Sequence, residues 1–410
     1  MAMPPGSGDK RTMKADRAGW MTRRRLLVGG VAGFAVIGAA SSLHQHWLTT
    51  RFRNQLLASW NGGLVKIPVF DARDGGPVAH AQARASRMKD LLTACLGGPQ
   101  TPVAGGLTRI ADTVAARWLA ANRTPYKNEL DAIAKAVGLP GVHLLNASYE
   151  WGCTALASHD AQRKQAMLLR SLDWGFHGLG RYVELARQTG TAGEYLNVTW
   201  PGSVGVLTAM APGRFAASVN QAPMRRRFSS ELAMGVDGVL NVADTLINVS
   251  DPPCMHVLRQ VFETAANFAE ARTMLERTPL SNPTIFTLVG LKPDETCVIE
   301  RERRQFVTRN GIASAANDWQ YSSFAGRWGD AGTVGGDLRG DSAARNTAIQ
   351  RFAGKQISPF AWLKEPVLNS ITRLAVEAFP AEGRIRVRGY EATADDESAE
   401  PVTEILDYRA

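Results

Sequence analysis

The chain has 410 residues, of which 45% are hydrophobic and 21% charged, and this balance indicates a globular protein of one large or two ordinary domains. The formal net charge is +9, but residues 1–53 carry nine basic and two acidic side chains, which leaves +2 for the other 357 residues. A basic surface for nucleic acid is therefore excluded as the main function.

The first predicted element is an export signal. Thr22–Leu27 places three arginines before an uncharged run, rich in Gly and Ala, that ends at Leu43. A cationic segment before an apolar one is typical of export, and paired arginines indicate the twin-arginine route. The run of 18 residues is just long enough for an uncleaved anchor, while the small residues 39–42 suit a signal peptidase. Residues 1–43 are predicted to be an export signal or inner-membrane anchor, which puts the remainder in the periplasm.

Residues 44–152 are predicted to form a helical region, a propeptide or small subunit. Apolar residues recur there at three- and four-residue steps, and Gly138 and Pro140 end the last helix. The predicted helices are Ala81–Cys95, Thr108–Ala121 and Asn128–Val137.

From Cys153 to Ala410 the pattern favours strands, with helices between them, which is an α+β order. The predicted helices are Glu231–Asn248, Met255–Arg277 and Ala343–Phe352, and Gly326–Gly340 is predicted to be a loop. The predicted strands are Thr154–Ser158, Gln165–Arg170, Glu194–Trp200, Val204–Met210, Phe215–Asn220, Thr284–Val289, Cys297–Arg301, Gln305–Thr308, Gly311–Ala315, Arg384–Tyr390 and Val402–Tyr408. No Gly-rich phosphate loop follows a strand, so nucleotide binding is excluded.

A hairpin brings three reactive side chains together. With its turn centred between Ala161 and Gln162, antiparallel pairing sets Cys153 opposite Arg170, and Asp173 lies just beyond. A fixed cation lowers the pKa of a nearby thiol. If the bond between Gly152 and Cys153 were cut, the new α-amine would have an ordinary pKa of roughly 7.7–8.0 and could act as a general base, held by Asp173.

The residues alone leave two interpretations open. The patch is either a catalytic centre, or a buried core cysteine beside a surface ion pair. Three tryptophans, Trp151, Trp174 and Trp200, either line an acyl pocket or pack in the core. Arg225–Arg227 either meets an anionic membrane surface or is a solvated charge run.

Seven segments between about residue 126 and residue 392 carry a resemblance to known proteins. The longest is Glu129–Ser158 (ELDAIAKAVGLPGVHLLNASYEWGCTALAS), which includes Cys153. The others are Leu168–Gly175 (LLRSLDWG), Ser203–Asn220 (SVGVLTAMAPGRFAASVN), Asn267–Pro279 (NFAEARTMLERTP), Cys297–Arg303 (CVIERER), Asn317–Trp319 (NDW) and Pro366–Asn369 (PVLN). In this order the seven segments resemble acid ceramidase and N-acylethanolamine acid amidase, and Glu129–Ser158 resembles the stretch that includes the family's nucleophile.

The resemblance implies an N-terminal nucleophile (Ntn) hydrolase with an αββα sandwich and autocatalytic maturation. By position, Cys153 resembles the nucleophile and its α-amine base, and Arg170 and Asp173 resemble its polar partners. Asn317 resembles the oxyanion-hole donor, and Arg345 resembles an arginine that orders the site. The substrate residues implied are Asn220, Gln221 and Trp174.

Two positions depart from the family pattern. The family's Asn-Glu-Arg is Asn220-Gln221-Ala222 here, which removes a carboxylate and a cation from the region of the substrate headgroup. The residue before the nucleophile is Gly152, which is smaller than in the family and leaves the scissile carbonyl open to attack.

The resemblance favours hydrolysis of a hydrophobic N-acyl amide through a thioester, in an enzyme of two associated fragments. A bile-salt or penicillin acylase, an acyltransferase, and a non-catalytic membrane-tethered binding protein remain as alternatives. No cofactor and no metal are expected, because the sequence lacks ligand-spaced Cys and His clusters. At most one disulfide is expected, because the nucleophile must stay free among Cys95, Cys153, Cys254 and Cys297.

Overall fold

The computed structural model describes residues 63–96, 102–147, 152–223, 225, 227, 250–321, 338–392 and 398–410. The predicted export segment, the predicted helix Glu231–Asn248, Trp151 and Arg226 lie outside these residues, as does most of the predicted loop Gly326–Gly340. Both interpretations of Arg225–Arg227, a membrane-surface contact and a solvated charge run, therefore stay open.

The described part of the N-terminal region is mainly helical, as predicted. Its one strand and five helices are β1 (Val69–Asp71), α1 (Gly76–Ala83), α2 (Ala85–Leu96), α3 (Pro102–Ala121), α4 (Lys127–Val137) and α5 (Val142–Ala147). In α4, Leu130, Ile133 and Val137 bury one face, and Gly138 ends the helix with a left-handed φ of 69°. None of the helices among the described residues is long and apolar enough to span a membrane.

Two sheets follow, and each takes strands from distant parts of the chain. The larger sheet has the strand order β1-β4-β5-β6-β7-β8-β9-β10, in which β1 is parallel to β4 and the other pairs are antiparallel. Its strands after β1 are β4 (Glu184–Gly190), β5 (Gly193–Thr199), β6 (Thr208–Ala211), β7 (Phe215–Gln221), β8 (Thr284–Val289), β9 (Thr296–Arg301) and β10 (Phe306–Asn310).

The smaller sheet carries Cys153. Its order is β11-β2-β3-β12-β13-β14, and β15 also pairs with β13. Its strands are β2 (Gly152–Asp160), β3 (Gln165–Asp173), β11 (Ala313–Ala315), β12 (Thr372–Phe379), β13 (Arg384–Glu391), β14 (Glu400–Pro401) and β15 (Leu406–Arg409).

The two sheets stack face to face between helices, which confirms the α+β prediction. Strands β2 and β3 face β7 and β8 across the interior, so the middle of the sandwich is a single apolar core. Helices α7 (Cys254–Thr264) and α8 (Phe268–Arg277) cover the larger sheet, and α9 (Leu338–Gln350) packs on β2 and β11. The short helix α6 (Leu179–Tyr182) contacts β13.

Several predicted elements need correction. The predicted helix Met255–Arg277 is two helices, because the Asn267 side chain accepts the N–H of Glu270 and starts α8 as its N-cap. The predicted helix Ala81–Cys95 is also interrupted, at Arg84, between α1 and α2. Of the predicted strand Val204–Met210, only Thr208–Ala211 pairs as β6, while β4 and β12 were not predicted at all.

Candidate active site

The β2–β3 hairpin sets the positions of Cys153 and Arg170. Cys153 pairs with Leu172, and Arg170 pairs with Ala155, so the predicted pairing of Cys153 with Arg170 is wrong by two residues. The turn is centred between Gln162 and Arg163, one residue later than predicted, and Asp160 Oδ1 closes the loop 161–164 by accepting the N–H groups of these two residues. A shift of two residues keeps each side chain on its original face of the sheet.

The sulfur of Cys153 is completely buried between the two sheets. Arg170 Nη2 lies 3.1 Å from Sγ, so the guanidinium donates to the sulfur diagonally across the hairpin. On the opposite sheet, the carbonyl oxygen of Val219 lies 3.8 Å from Sγ. The backbone N–H of Gln221, the last residue of β7, also donates to this sulfur and lowers the pKa of the thiol.

Burial decides the ionisation of this thiol. Desolvation raises the pKa of Cys153 to about 11, and the opposing effect of Arg170 is smaller. Arg170 lowers the pKa of the thiol, as expected of a nearby cation, but burial outweighs this effect in the uncut chain. At neutral pH the thiol is protonated, so its reaction needs a proton acceptor.

Arg170 is held by the larger sheet. Its Nη1 donates to the Val219 carbonyl at 2.8 Å and to Asn220 Oδ1 at 3.2 Å. The Nδ2 group of Asn220 in turn donates to the carbonyls of Ala315 and Ala316. Asn220 thus joins β7, β3 and the end of β11, and both hydrogens of its amide are already donated within the protein.

Asn317 lies where the β2–β11 ladder would continue. Ala315 pairs with Ala155, so position 317 falls opposite Cys153, and there the Asn317 side chain replaces the backbone: its Oδ1 accepts the Cys153 N–H at 2.9 Å. Its Nδ2 donates to the Gln221 carbonyl at 2.9 Å. The partners fix this amide orientation, because Cys153 N–H and Arg345 Nη2, 3.2 Å away, can only donate.

Arg345 reaches Cys153 from α9 through the outer face of the sheet. Its Nη1 donates to the Cys153 carbonyl at 2.6 Å and to Thr154 Oγ1 at 2.9 Å. Asp341, one turn earlier on the helix, accepts from Nε at 2.7 Å and aims the guanidinium. Cys153 is therefore fixed at its amide hydrogen, its carbonyl oxygen and its sulfur by three different elements.

Asp173 lies against the bond between Gly152 and Cys153. It pairs with Gly152 in the ladder, and a Cβ added to Gly152 would lie 3.0 Å from the Asp173 Cβ. Thr372 donates to Asp173 Oδ1 at 2.8 Å, and Arg345 Nη1 is 3.8 Å from Oδ2. Burial raises the pKa of Asp173, and Arg345 and Thr372 oppose that effect.

The structure therefore gathers most of the residues that the sequence singled out. Trp174 is buried beside Asp173 and packs against Phe176, with 5.6 Å between the ring centroids, as part of the core between the sheets. The sequence assigned no role to Asp341, Asn369 or Thr372. The segment PVLN, which contains Asn369, was the available signal for the last two.

All four cysteines are free and buried in the structure. Among the described residues, no group of three or more His, Cys, Asp or Glu side chains is arranged to hold a metal ion. His177 lies 3.6 Å from Glu391, in a buried cluster next to α6.

Sequence comparison confirms the resemblance that the motifs indicated. The chain is 27% identical over 223 residues to an acid ceramidase from Balaenoptera acutorostrata scammoni, covering 49% of this chain and 53% of that protein. It is 28% identical over 225 residues to an N-acylethanolamine-hydrolyzing acid amidase from Caenorhabditis elegans, covering 49% and 59%. The chain spans about half the length of the curated relatives it matches. No family model matches the chain.

Two solved structures align with part of this chain. One is the Caenorhabditis elegans ortholog of N-acylethanolamine-hydrolyzing acid amidase, with a TM-score of 0.42 and 18% identity, covering 56% of this chain and 93% of the other. The second is a conjugated bile acid hydrolase from Clostridium perfringens, with a TM-score of 0.35 and 10% identity, covering 63% and 97%.

Proposed function

We propose that this protein is an Ntn amidohydrolase whose nucleophile is Cys153, freed by self-cleavage of the bond between Gly152 and Cys153. The observation that carries the proposal is the set of three polar contacts that hold Cys153. Its sulfur touches Arg170, its amide hydrogen is bound by Asn317, and its carbonyl oxygen is bound by Arg345. A core cysteine that only fills space needs none of these polar contacts.

Self-cleavage begins with attack of the Cys153 sulfur on the Gly152 carbonyl carbon. The C–N bond breaks, the thiol proton ends on the departing nitrogen, and a thioester joins Gly152 to the sulfur. Water then hydrolyses the thioester, which leaves a carboxylate on Gly152 and a free α-amine on Cys153. Asp173 is suited to guide the proton because it pairs with Gly152 beside this bond.

The same residue then serves catalysis. The α-amine, with an ordinary pKa of roughly 7.7–8.0, accepts the thiol proton that the buried sulfur otherwise keeps at neutral pH. The thiolate attacks the amide carbonyl of the substrate, the amine product leaves with the proton, and water hydrolyses the acyl thioester. Asn317 must reorient its amide to stabilise the oxyanion, because Nδ2 is bound to Gln221 in the uncut chain.

The substrate class proposed is a hydrophobic N-acyl amide, such as an N-acylethanolamine, a ceramide or an N-acyl amino acid. The proposal rests on the likeness to acid ceramidase and to N-acylethanolamine-hydrolyzing acid amidase. Asn220 and Gln221 are proposed to act at the end of the site that takes the substrate headgroup. Asn220 would act by bracing Arg170, and Gln221 through its backbone N–H and carbonyl groups. Trp174 is proposed to line the acyl side.

The proposed location is the periplasm, reached by the twin-arginine-like segment of residues 1–43. Replacement of Arg23 and Arg24 by lysine should then leave the protein in the cytoplasmic fraction of the producing cell. Normal export of that double variant would overturn the proposed route.

The test of the activity is a panel of N-acyl amides that differ in acyl chain and headgroup, incubated with wild type and Cys153→Ala. We expect turnover of at least one amide by the wild type only, with an acyl adduct on Cys153 detected by mass spectrometry. If Cys153→Ala hydrolyses the same amide at the wild-type rate, Cys153 is not the nucleophile. If amine acceptors replace water as the preferred partner of the adduct, the enzyme is an acyltransferase.

A further inference from the structure

A β-bulge interrupts β12 beside Asp173. From Ala378 to Leu374, β12 pairs with β3 in regular register, and Leu374 faces Leu172. The next pair is Thr372 with Asp173, so Arg373 is the extra residue of the bulge. In an unbroken ladder position 373 would face Asp173. The bulge therefore sets a hydroxyl where regular pairing would set a guanidinium.

The diverted Arg373 side chain binds elsewhere. Its Nε donates to the Phe176 carbonyl at 2.8 Å, and its Nη1 donates to the carbonyls of Ser370 and Thr372. Its Nε also lies 3.4 Å from Glu391 Oε2. An arginine directly opposite Asp173 would form a two-point ion pair and occupy both carboxylate oxygens. Because of the bulge, Arg373 does not form such a two-point ion pair with Asp173.

The hydroxyl of Thr372 is completely buried, and its one proton has a defined place. Thr372 Oγ1 accepts the N–H of Asn369 at 3.0 Å and lies 2.8 Å from Asp173 Oδ1. The other oxygen near it, the Val367 carbonyl, is farther away at 3.5 Å. Since a hydroxyl donates a single proton, these distances direct it to the Asp173 carboxylate.

We propose that Thr372, set opposite Asp173 by the bulge at Arg373, is a positioning residue whose hydroxyl donates to the Asp173 carboxylate and holds it beside the Gly152–Cys153 bond. After cleavage, the same carboxylate would hold the α-amine of Cys153. This role rests on the proposed function, and it explains why the PVLN segment lies next to the site: Asn369, its last residue, donates to Thr372 through its backbone.

Asp173 is surrounded by charges that must be considered together. Burial is the largest effect on its pKa and raises it, while Arg345 and the side-chain hydrogen bonds of Thr372 and Asn369 lower it. Loss of the Thr372 hydroxyl therefore lets burial raise the pKa further. The titratable and charged groups that face Asp173 are Arg345 and Asp341 from α9, Cys153 from β2, Arg170 from its own strand, and Arg373 from β12.

The test compares Thr372→Val, which keeps the shape and removes the hydroxyl, with Thr372→Ser, which keeps the hydroxyl. For Thr372→Val, the acid limb of the pH profiles of self-cleavage and of turnover should move to higher pH by about one unit, the size of one hydrogen bond to a charged group. Thr372→Ser should follow the wild-type profile. A Thr372→Val profile that coincides with wild type, or a Thr372→Ser profile displaced equally far, would overturn the proposal.

A second measurement does not depend on enzymatic activity. The carbonyl stretch of a protonated carboxyl group is followed by infrared spectroscopy as a function of pH, and Asp173→Asn identifies the band of Asp173. That band should persist to higher pH in Thr372→Val than in wild type and Thr372→Ser. An unchanged band refutes the role of Thr372 even if the protein proves inactive, whereas absence of cleavage and turnover in wild type refutes the proposed function alone. Should Thr372→Val not fold, Thr372→Ala is measured in the same way and should move the band in the same direction.

Discussion

Two buried arginines bind different atoms of Cys153. Arg170 touches the sulfur, and Arg345 touches the carbonyl oxygen of the same residue. The sequence brought Cys153, Arg170 and Asp173 to one patch because hairpin pairing is local and follows from the turn. It did not reveal Thr372, because a threonine 199 residues from Asp173 along the chain carries no signal until the sheet forms.

Arg170 should control how readily the thiol ionises. Because Arg170 lowers the pKa of Cys153 against burial, Arg170→Met should raise that pKa, so that alkylation of Cys153 by iodoacetamide slows at any fixed pH below it. We expect a loss of turnover on the order of 10²-fold or more, since the buried sulfur loses its stabilising charge. Arg301→Met is the matched control, because Arg301 is equally buried but binds the carbonyls of Leu275 and Thr278. Alkylation at the wild-type rate in Arg170→Met would contradict this role.

Gly152 should matter for maturation and not for turnover. In Gly152→Ala the new methyl group would press on the Asp173 Cβ at 3.0 Å, so the carboxylate must shift and self-cleavage should slow. Once cut, residue 152 belongs to the other fragment, so the cleaved variant should hydrolyse substrate like wild type. Pulse-chase electrophoresis measures the first effect, and Gly106→Ala, at a helical glycine with open space around it, serves as control. Cleavage of Gly152→Ala at the wild-type rate would show that this contact is unimportant.

At the scale of elements, sequence patterns predicted most strands, including β3, β7, β8 and β9, which are buried along their whole length. Strand β12 is equally buried but was missed, because the charged residues Arg373 and Glu377 disguise it. Glu377 is nevertheless satisfied, because it accepts from the Phe360 N–H, the Trp362 indole and Arg386. The charge of Glu377 was misleading because its partner Arg386 lies opposite it only once β12 pairs with β13.

The sequence carries a signal for the break between α7 and α8, the cap at Asn267, which the prediction of a single helix Met255–Arg277 does not take into account. Asn267 accepts the N–H of Glu270, while the Glu270 side chain accepts the N–H of Ala266, so the two residues cap the helix reciprocally. Asn267→Ala should destabilise the fold by about 1 kcal/mol, measured by urea unfolding, whereas Asn267→Asp should be close to neutral. Equal stability of all three proteins would mean that the cap contributes nothing.

At the scale of the whole molecule, the helical region before Cys153 and the region that follows it share one sheet. Strand β1 adds to β4 at the edge of the larger sheet, and Arg259 of α7 forms two hydrogen bonds with Glu129 of α4. Glu184 of β4 is completely buried and binds His80 and Arg87 from the helical region. These contacts do not involve the Gly152–Cys153 bond, so we expect the two fragments to stay together after it is cut.

Substitution of Glu184 tests whether these contacts hold the two fragments together. Glu184→Gln removes the charge that pairs with His80, Arg84 and Arg87. We expect the free energy of unfolding to fall by a few kcal/mol. Breaking a fully buried ion pair costs roughly 3–5 kcal/mol, and this loss should be smaller because the arginines are partly exposed. Fragments of the cleaved variant should separate at lower urea concentration on size-exclusion chromatography. Asp131→Asn, at an exposed ion pair with Lys127 within the helical region, should behave like wild type, and equal behaviour of both variants would contradict the assignment.

The most direct test of the account is the N-terminal residue of the large fragment in purified, active protein, read by Edman degradation and intact mass. We predict a large fragment that starts at Cys153, bound to a partner that ends at Gly152, and an uncut chain for Cys153→Ala. Active wild type whose fragments all begin elsewhere, or that remains one chain, would contradict the central claim that Cys153 acts as an N-terminal nucleophile.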